Sequence, residues 1–333
     1  MQSNQMSRTF FIVGPTATGK SELAADVACE VGAEIVSADA FQLYRGLDLL
    51  TAKPDTATLA KVPHHLVGTT PVHETMNAQK YRCAALRVID EIHLRGKRAI
   101  VVGGSGLYIK ALTYGLASLP EPDPKVRDRL NAISLDELHS QLAELDPEMV
   151  RRIDVNNRRR VVRALEICLL TGRPASEVLA RRSIVAEGGD LGSSADVRPR
   201  SAPAATGAER SVPGKGVFVF RDREELYNRI NLRVQAMFKH GVLDEVRAVE
   251  STSPTASQMI GLREIRELLA GKKSLPHCLA EIQQATRRYA KRQLTWFRRQ
   301  TNFLPLNLSF LTHNEAVKWI SLRILSEAGT RND

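Results

Sequence analysis

At 333 residues, 43% of them hydrophobic, the chain is long enough for one large domain or two smaller ones, each with a real core. A formal charge of +10 favours a polyanionic partner, because the basic residues are clustered rather than spread. No apolar stretch approaches the roughly 20 residues that cross a bilayer, and residues 1–8 carry no export pattern, so a cytoplasmic protein with no membrane partner is expected. The cysteines, Cys29, Cys83, Cys168 and Cys278, show no Cys-x-x-Cys pairing and sit in apolar helical contexts, which predicts buried free thiols in a reducing compartment.

The first element is the apolar strand Thr9–Val13. It runs directly into Gly14-Pro15-Thr16-Ala17-Thr18-Gly19-Lys20-Ser21, and a helix begins near Lys20. Backbone N–H groups of such a glycine-flanked loop and of the helix N-terminus converge on one point, which suits a phosphate, a diphosphate or a nucleotide such as ATP. Lys20 adds a mobile cation, and the Ser21 hydroxyl can ligate a Mg²⁺ bridging phosphate oxygens. The motif does not say whether phosphate is split, transferred or gripped.

Glu34–Asp39 reads as a second strand ending in an acid. Helical spacing over Tyr81–Leu94 precedes a continuous apolar strand at Arg98–Val102, the break Gly103-Gly104-Ser105-Gly106, and a helix over Leu107–Leu112. Repeated strand–loop–helix units predict an α/β fold with a doubly wound parallel sheet, in which the phosphate loop, Asp39 and Ser105 meet beyond the strand ends. Asp39 there is a general base, an outer-sphere Mg²⁺ ligand or a helix N-cap. The pair His64-His65 has no third metal ligand at a recognisable spacing, so a structural or hydrogen-bonding role is expected.

Past Pro120 the pattern turns all-helical, with candidates at 124–130, 135–145, 156–170 and 175–182, the second opened by a Ser134/Glu137 capping box. Val217–Phe220 resumes the sheet, and helices follow at 226–238, 243–249 and 280–299. The expected domains are a phosphate-loop core at 1–118 and 217–312, a helical insertion at 119–182, a linker at 183–216, and a tail helix at 313–333. Arg159, Arg160 and Arg163 would project together from the insertion. Arg287, Arg288, Lys291, Arg292, Arg298 and Arg299 make a second basic helix, and the two together suit a nucleic-acid backbone. Arg229 and Arg233 lie one turn apart, and with Arg223 they suit a diphosphate.

These residues match a known pattern. In Gly14–Ser21, Ser37-Ala38-Asp39 with Gln42 and Tyr44, Thr51-Ala52-Lys53-Pro54, Pro63-His64-His65-Leu66, Gly103–Tyr108, Arg163-Ala164-Leu165-Glu166 and Ala290–Phe297, the chain resembles the bacterial tRNA dimethylallyltransferases (tRNA isopentenyltransferases) over nearly its whole length. It departs from the pattern at Ala40, Leu50, Ser105 and Leu262, none of them in the phosphate loop. The resemblance implies that Gly14, Pro15, Thr16, Ala17, Thr18, Gly19, Lys20 and Ser21 hold dimethylallyl diphosphate. Arg223, Arg229 and Arg233 would assist them, with Mg²⁺ on Ser21. The acceptor is then the exocyclic amine of the adenosine 3′ of the anticodon, in tRNAs reading codons that begin with U. Asp39 contacts that amine as base, and Lys20, Ser21, Ser105, Arg229 and Arg233 complete the catalytic set. Asp39, Ala40, Phe41, Gln42, Ser105, Arg127, Arg159, Arg160, Val161, Val162 and Arg163 would touch tRNA. So would Gln258, Met259, Ile260, Gly261, Leu262, Arg263, Arg287, Arg288, Lys291 and Arg292, while the helical insertion grips the anticodon stem-loop of a tRNA bound to a monomer. A small-molecule kinase, an RNA-binding phosphate-loop module without catalysis, and a prenylating enzyme of free adenine nucleotides are the competing readings.

Overall fold

The structure, a computed structural model, describes residues 8–116, 119–180, 212 and 214–329. Its strands are β1 (Thr9–Val13), β2 (Ala33–Ser37), β3 (His64–His65), β4 (Arg98–Gly103), β5 (Gly216–Phe220) and β6 (Phe303–Asn307). They form one parallel sheet in the order β3-β2-β4-β1-β5-β6. From β1 the chain builds outward first on one side and then on the other. The carboxyl end of β1 is therefore the switch point where such sheets bind ligands.

The helices are α1 (Lys20–Val31), α2 (Thr56–Lys61), α3 (Ala78–Leu94), α4 (Gly106–Thr113), α5 (Pro124–Ala132), α6 (Leu135–Leu145), α7 (Pro147–Arg152), α8 (Arg158–Thr171) and α9 (Ala175–Ala180), followed after β5 by α10 (Arg223–Lys239), α11 (Val242–Arg247), α12 (Leu262–Leu269), α13 (Leu275–Phe297) and α14 (His313–Gly329). The apolar strands need cover on both faces, and alternate residues receive it. Phe11, Val13 and Val101 pack with Tyr81, Ile89 and Ile109 of α3 and α4. Phe10, Ile12 and Ile100 pack with α1 and with Ile320 and Ile324 of α14. A third core joins α10 to α13 through Ile230, Val234, Ile265 and Ile282.

The chain divides into two compact units, Met1–Gly115 with Glu209–Asp333, and Leu116–Ala208. The second is all-helical among its described residues and has its own core, including Leu130, Leu138, Leu142 and Leu165. Ser134 caps α6 by accepting from the Glu137 amide at 3.2 Å. The buried Glu166 carboxylate holds this unit together. Arg127 donates to both its oxygens at 2.6 Å, and Arg163 reaches it at 3.2 Å while also donating to the Pro120 carbonyl at 2.9 Å.

Most of the 183–216 stretch read as a linker lies outside the described residues. Within it, Val212 is buried and its amide bonds the Leu112 carbonyl at 2.9 Å, and Gly216 opens β5. The strands β3 and β6 and the helices α2, α7 and α12 escaped the sequence reading. In β6 the reason is visible: Pro305 argues against a strand, yet β6 is an edge, where a missing N–H is tolerated. The cysteine expectation is corrected in part. Cys168 and Cys278 are buried, but Cys29 and Cys83 are exposed, because each lies on the solvent side of a helix whose opposite stripe packs on the sheet.

Candidate active site

The loop after β1 is shaped by backbone and held by arginines. Gly14 has no room for a side chain, since a Cβ there would lie 2.1 Å from the Val219 carbonyl oxygen of the neighbouring strand. Ala17 (φ 66°) and Gly19 (φ 89°) both adopt the left-handed conformation that turns successive N–H groups to one side. No side chain caps α1 at Gly19, so its first N–H groups are available to an anion. The loop carbonyls are taken from behind. Arg229 Nε donates to the Ala17 oxygen at 2.8 Å, and Arg221 Nε donates to that of Thr18 at 2.9 Å. Arg233 reaches the Thr16 hydroxyl at 2.7 Å. The sequence reading missed Arg221, the first residue beyond β5, although its place at a strand end beside the loop was the available signal.

Lys20 is buried, and its Nζ donates to the Pro15 carbonyl at 3.3 Å. Lost hydration lowers its pKa to about 8, with the Asp39 carboxylate opposing the shift and Arg233 adding to it. Burial lowers Arg233 too, again against Asp39. Because the folded Lys20 pKa lies below that of the unfolded chain, the penalty for its charge is complete below pH 8 and fades as pH rises towards the unfolded value of 10.5. Lys20→Met should therefore raise stability at neutral pH by up to about 3 kcal/mol, and the gain should disappear in strong alkali. Urea unfolding at both pH values checks this, and an unchanged or lowered midpoint at neutral pH would contradict it.

Asp39 stands just past β2. Its Oδ1 accepts from the amides of Phe41 at 3.0 Å and Gln42 at 3.4 Å. The helix-cap alternative is corrected by this geometry: residues 40–43 form a turn, so the carboxylate fastens a turn rather than opening a helix. Ser105 joins the ends of β2 and β4. Its Oγ accepts from the Ala40 amide at 2.8 Å, and its amide donates to the Ala38 carbonyl at 3.2 Å. Burial and then the negative charge of Asp39 hold the Tyr289 phenol above its ordinary range.

Gln293 of α13 locks these parts to each other. Its Oε1 accepts from the Thr16 amide at 3.0 Å, and its Nε2 donates to the Gly104 carbonyl at 2.8 Å. A cavity opens beside Thr16. Thr16, Asp39, Arg233 and Tyr289 are among its polar lining, and Val234, Met237, Met259, Ile260 and Ile282 are among its apolar lining. One carboxylate thus stands between a cationic loop and an apolar recess.

Not every expected residue joins this cluster. Arg223 lies with its guanidinium 5.3 Å over the Tyr227 ring, which Arg287 approaches at 5.7 Å while donating to Asn231. Arg288, Lys291, Arg292, Gln258 and Arg263 are exposed, whereas Met259 and Leu262 are core side chains. In the helical unit Arg159 and Arg160 are exposed, but Val161 and Val162 are core residues, and Arg127 and Arg163 are engaged by Glu166. The expectation that Arg163 projects with its neighbours is corrected accordingly. His64 and His65 are separated in role: His65 Nε2 pairs with the buried Glu34 at 2.8 Å, and burial lowers the pKa of His64.

Comparison with known proteins agrees with this architecture. The family model described as IPP transferase matches residues 42–300. The tRNA dimethylallyltransferase 1 of Citrifermentans bemidjiense is 41% identical over 293 residues, covering 87% of this chain and 88% of that protein. The tRNA dimethylallyltransferase of Geobacter sulfurreducens is 40% identical over 327 residues, covering 96% and 93%. Among solved structures, the tRNA delta(2)-isopentenylpyrophosphate transferase of Staphylococcus epidermidis superposes with a TM-score of 0.64 at 31% identity, covering 96% of this chain and 98% of that one. With the phosphate loop, the parallel sheet and the extent of these matches in agreement, the chain belongs to the tRNA dimethylallyltransferase (IPP transferase) family.

Proposed function

We propose that this protein transfers the dimethylallyl group of dimethylallyl diphosphate to the N6 amine of the adenosine 3′ of the anticodon, in tRNAs reading codons that begin with U, yielding isopentenyladenosine and diphosphate. The observation that carries this reading is the place of Asp39, between the Lys20–Arg233 end of the phosphate loop and the apolar recess lined by Val234, Met237 and Ile282. An allylic diphosphate is polar at one end and apolar at the other, and the cavity has the same two ends.

The chemistry follows from those residues. The allylic C1–O bond breaks as the N6–C1 bond forms, and the leaving diphosphate takes the electron pair. Loop N–H groups, Lys20 and Arg233 stabilise that developing charge. Asp39 takes the proton that the amine sheds on alkylation. Among the described residues, no three His, Cys, Asp or Glu side chains converge to hold a metal by themselves. A Mg²⁺ here would rest on Ser21, phosphate oxygens and water, the oxygen-only set it favours. Bound so, it neutralises charge on the departing diphosphate. The adenine must leave its stack to reach the recess, at a cost of a few kcal/mol that RNA contacts offset.

The all-helical unit is the proposed grip on the anticodon stem-loop, with Arg159 and Arg160 at phosphates and the exposed Arg288, Lys291 and Arg292 of α13 contributing from the core. Changing Arg159 and Arg160 together to Ala should weaken tRNA binding, and should flatten the plot of log affinity against log salt by roughly 0.7–0.9 for each phosphate no longer neutralised. Filter binding across a salt series measures this, and an unaltered slope would place the grip elsewhere.

The reading itself is tested with labelled dimethylallyl diphosphate, Mg²⁺ and unmodified tRNA, with AMP and ATP as parallel acceptors. Label on tRNA alone supports it. Label on AMP, or phosphate release from ATP without transfer, would replace it with a nucleotide-prenylating enzyme or a kinase.

A further inference from the structure

The lining of the cavity beside Thr16 also includes Leu50 and Thr51. Leu50 is packed as a wall rather than as a lid. It is only 8% exposed and belongs to the core that holds Ile230, Val234 and Ile282. A Cβ on Gly261 would stand 2.9 Å from Leu50 Cδ1 and 3.5 Å from Ile282 Cδ1, so the two side chains converge on the bare glycine at the head of α12.

The backbone behind Leu50 is fastened. The Glu245 carboxylate of α11 accepts from the Leu49 amide with Oε1 and from the Leu50 amide with Oε2, both at 2.8 Å. Bonds to an ionised acceptor are about twice as strong as neutral ones. Thr51 is tied as well, since its amide and its hydroxyl both donate to the Leu47 carbonyl, at 3.2 and 2.6 Å. A close-packed side chain on so fixed a backbone yields little to added volume. With the diphosphate at the loop and Arg233, the hydrocarbon tail of an allylic donor is left the apolar lining, to which Val234, Met237, Ile282 and Leu50 all belong. A tail one isoprene unit longer would need the space that Leu50 fills.

We propose that Leu50 is the wall that limits the recess to a dimethylallyl group and shuts out longer prenyl donors, and that Glu245 is the positioning residue that holds this wall in place. The proposal rests on the transferase reading given above.

The test compares transfer to unmodified tRNA from dimethylallyl diphosphate and from geranyl diphosphate, with urea unfolding of each variant alongside. The unaltered full chain should use the first and discriminate strongly against the second. Leu50→Ala should raise the ratio of kcat/KM for geranyl over dimethylallyl by about 10- to 200-fold, the range that a methylene contributes in an apolar pocket. Leu50→Val, a milder change to the core, should move the ratio the same way by less. Leu47 is fully buried in the same core but outside the cavity lining, so Leu47→Ala loosens the fold without opening the recess and should leave the ratio alone. Glu245→Ala should raise KM for dimethylallyl diphosphate more than it lowers kcat, and should relax the ratio. Glu245→Gln, which keeps one acceptor, should relax it less. A wild-type ratio in the folded Leu50 variants would overturn the proposal, as would an equal change in Leu47→Ala. A wild-type ratio with a raised KM for tRNA would place Leu50 against the adenine instead. If the unaltered protein transferred neither group, the transferase reading would fall, and this proposal with it.

Discussion

Asp39→Asn should lower turnover on tRNA by about 10²- to 10⁴-fold, the usual contribution of a positioned acid or base, while tRNA affinity stays near that of the unaltered protein. The substitution separates the two roles of this side chain. Asparagine keeps an oxygen for the Phe41 and Gln42 amides, so the turn after β2 persists. What disappears is the negative charge that Lys20, Arg233 and Tyr289 all register. Single-turnover transfer from labelled dimethylallyl diphosphate gives the rate, and filter binding gives the affinity. Equal losses in both would remove Asp39 from the chemistry and leave it as part of the RNA surface.

A second large effect is expected at Gln293. Its amide satisfies the Thr16 N–H and the Gly104 carbonyl at once, and a Cβ on Gly104 would come within 2.3 Å of its Nε2. Gln293→Met fills nearly the same volume but leaves the buried Gly104 carbonyl without its partner, at about 1–3 kcal/mol, and the half-buried Thr16 amide to water. The expected result is a loss of about 1–3 kcal/mol in urea unfolding. Diphosphate binding should also weaken, because Thr16 and Arg233 are joined to each other. A variant as stable as the parent would show that the bridge is dispensable.

The phosphate loop was legible because its physics is local. Glycines at fixed offsets, a strand before and a helix after are all written within about a dozen consecutive residues. Asp39 and Ser105 were legible for a related reason, since each closes a recognisable strand and parallel sheets gather such ends. Gln293 and Arg221 were not singled out, because their importance lies in partners 277 and 203 residues away. Nothing in the local pattern distinguishes an arginine that braces a carbonyl from one that faces solvent. The run Arg159–Arg163 shows the same limit within one helix. Its charges were readable, but the buried Glu166 that claims Arg163 could be found only once the helices had packed. Pro305 and the two-residue β3 disguised the sheet edges, where strand rules are weakest.

The bonds that brace the phosphate loop have a consequence for how the protein is made. Thr16, Ala17 and Thr18 leave the ribosome well ahead of the groups that brace them. Their partners Arg221, Arg229, Arg233 and Gln293 come more than 200 residues later, after the entire helical unit has emerged. Closing such long loops is slow and is rewarded only at the end. A nascent chain therefore carries the glycine motif for more than 200 residues of synthesis with the bracing groups still missing, and the braced cradle is complete only once α13 docks. A product that stops before α13 lacks the Gln293 bridge, so the braced form of the loop that holds a phosphorylated ligand waits for that helix.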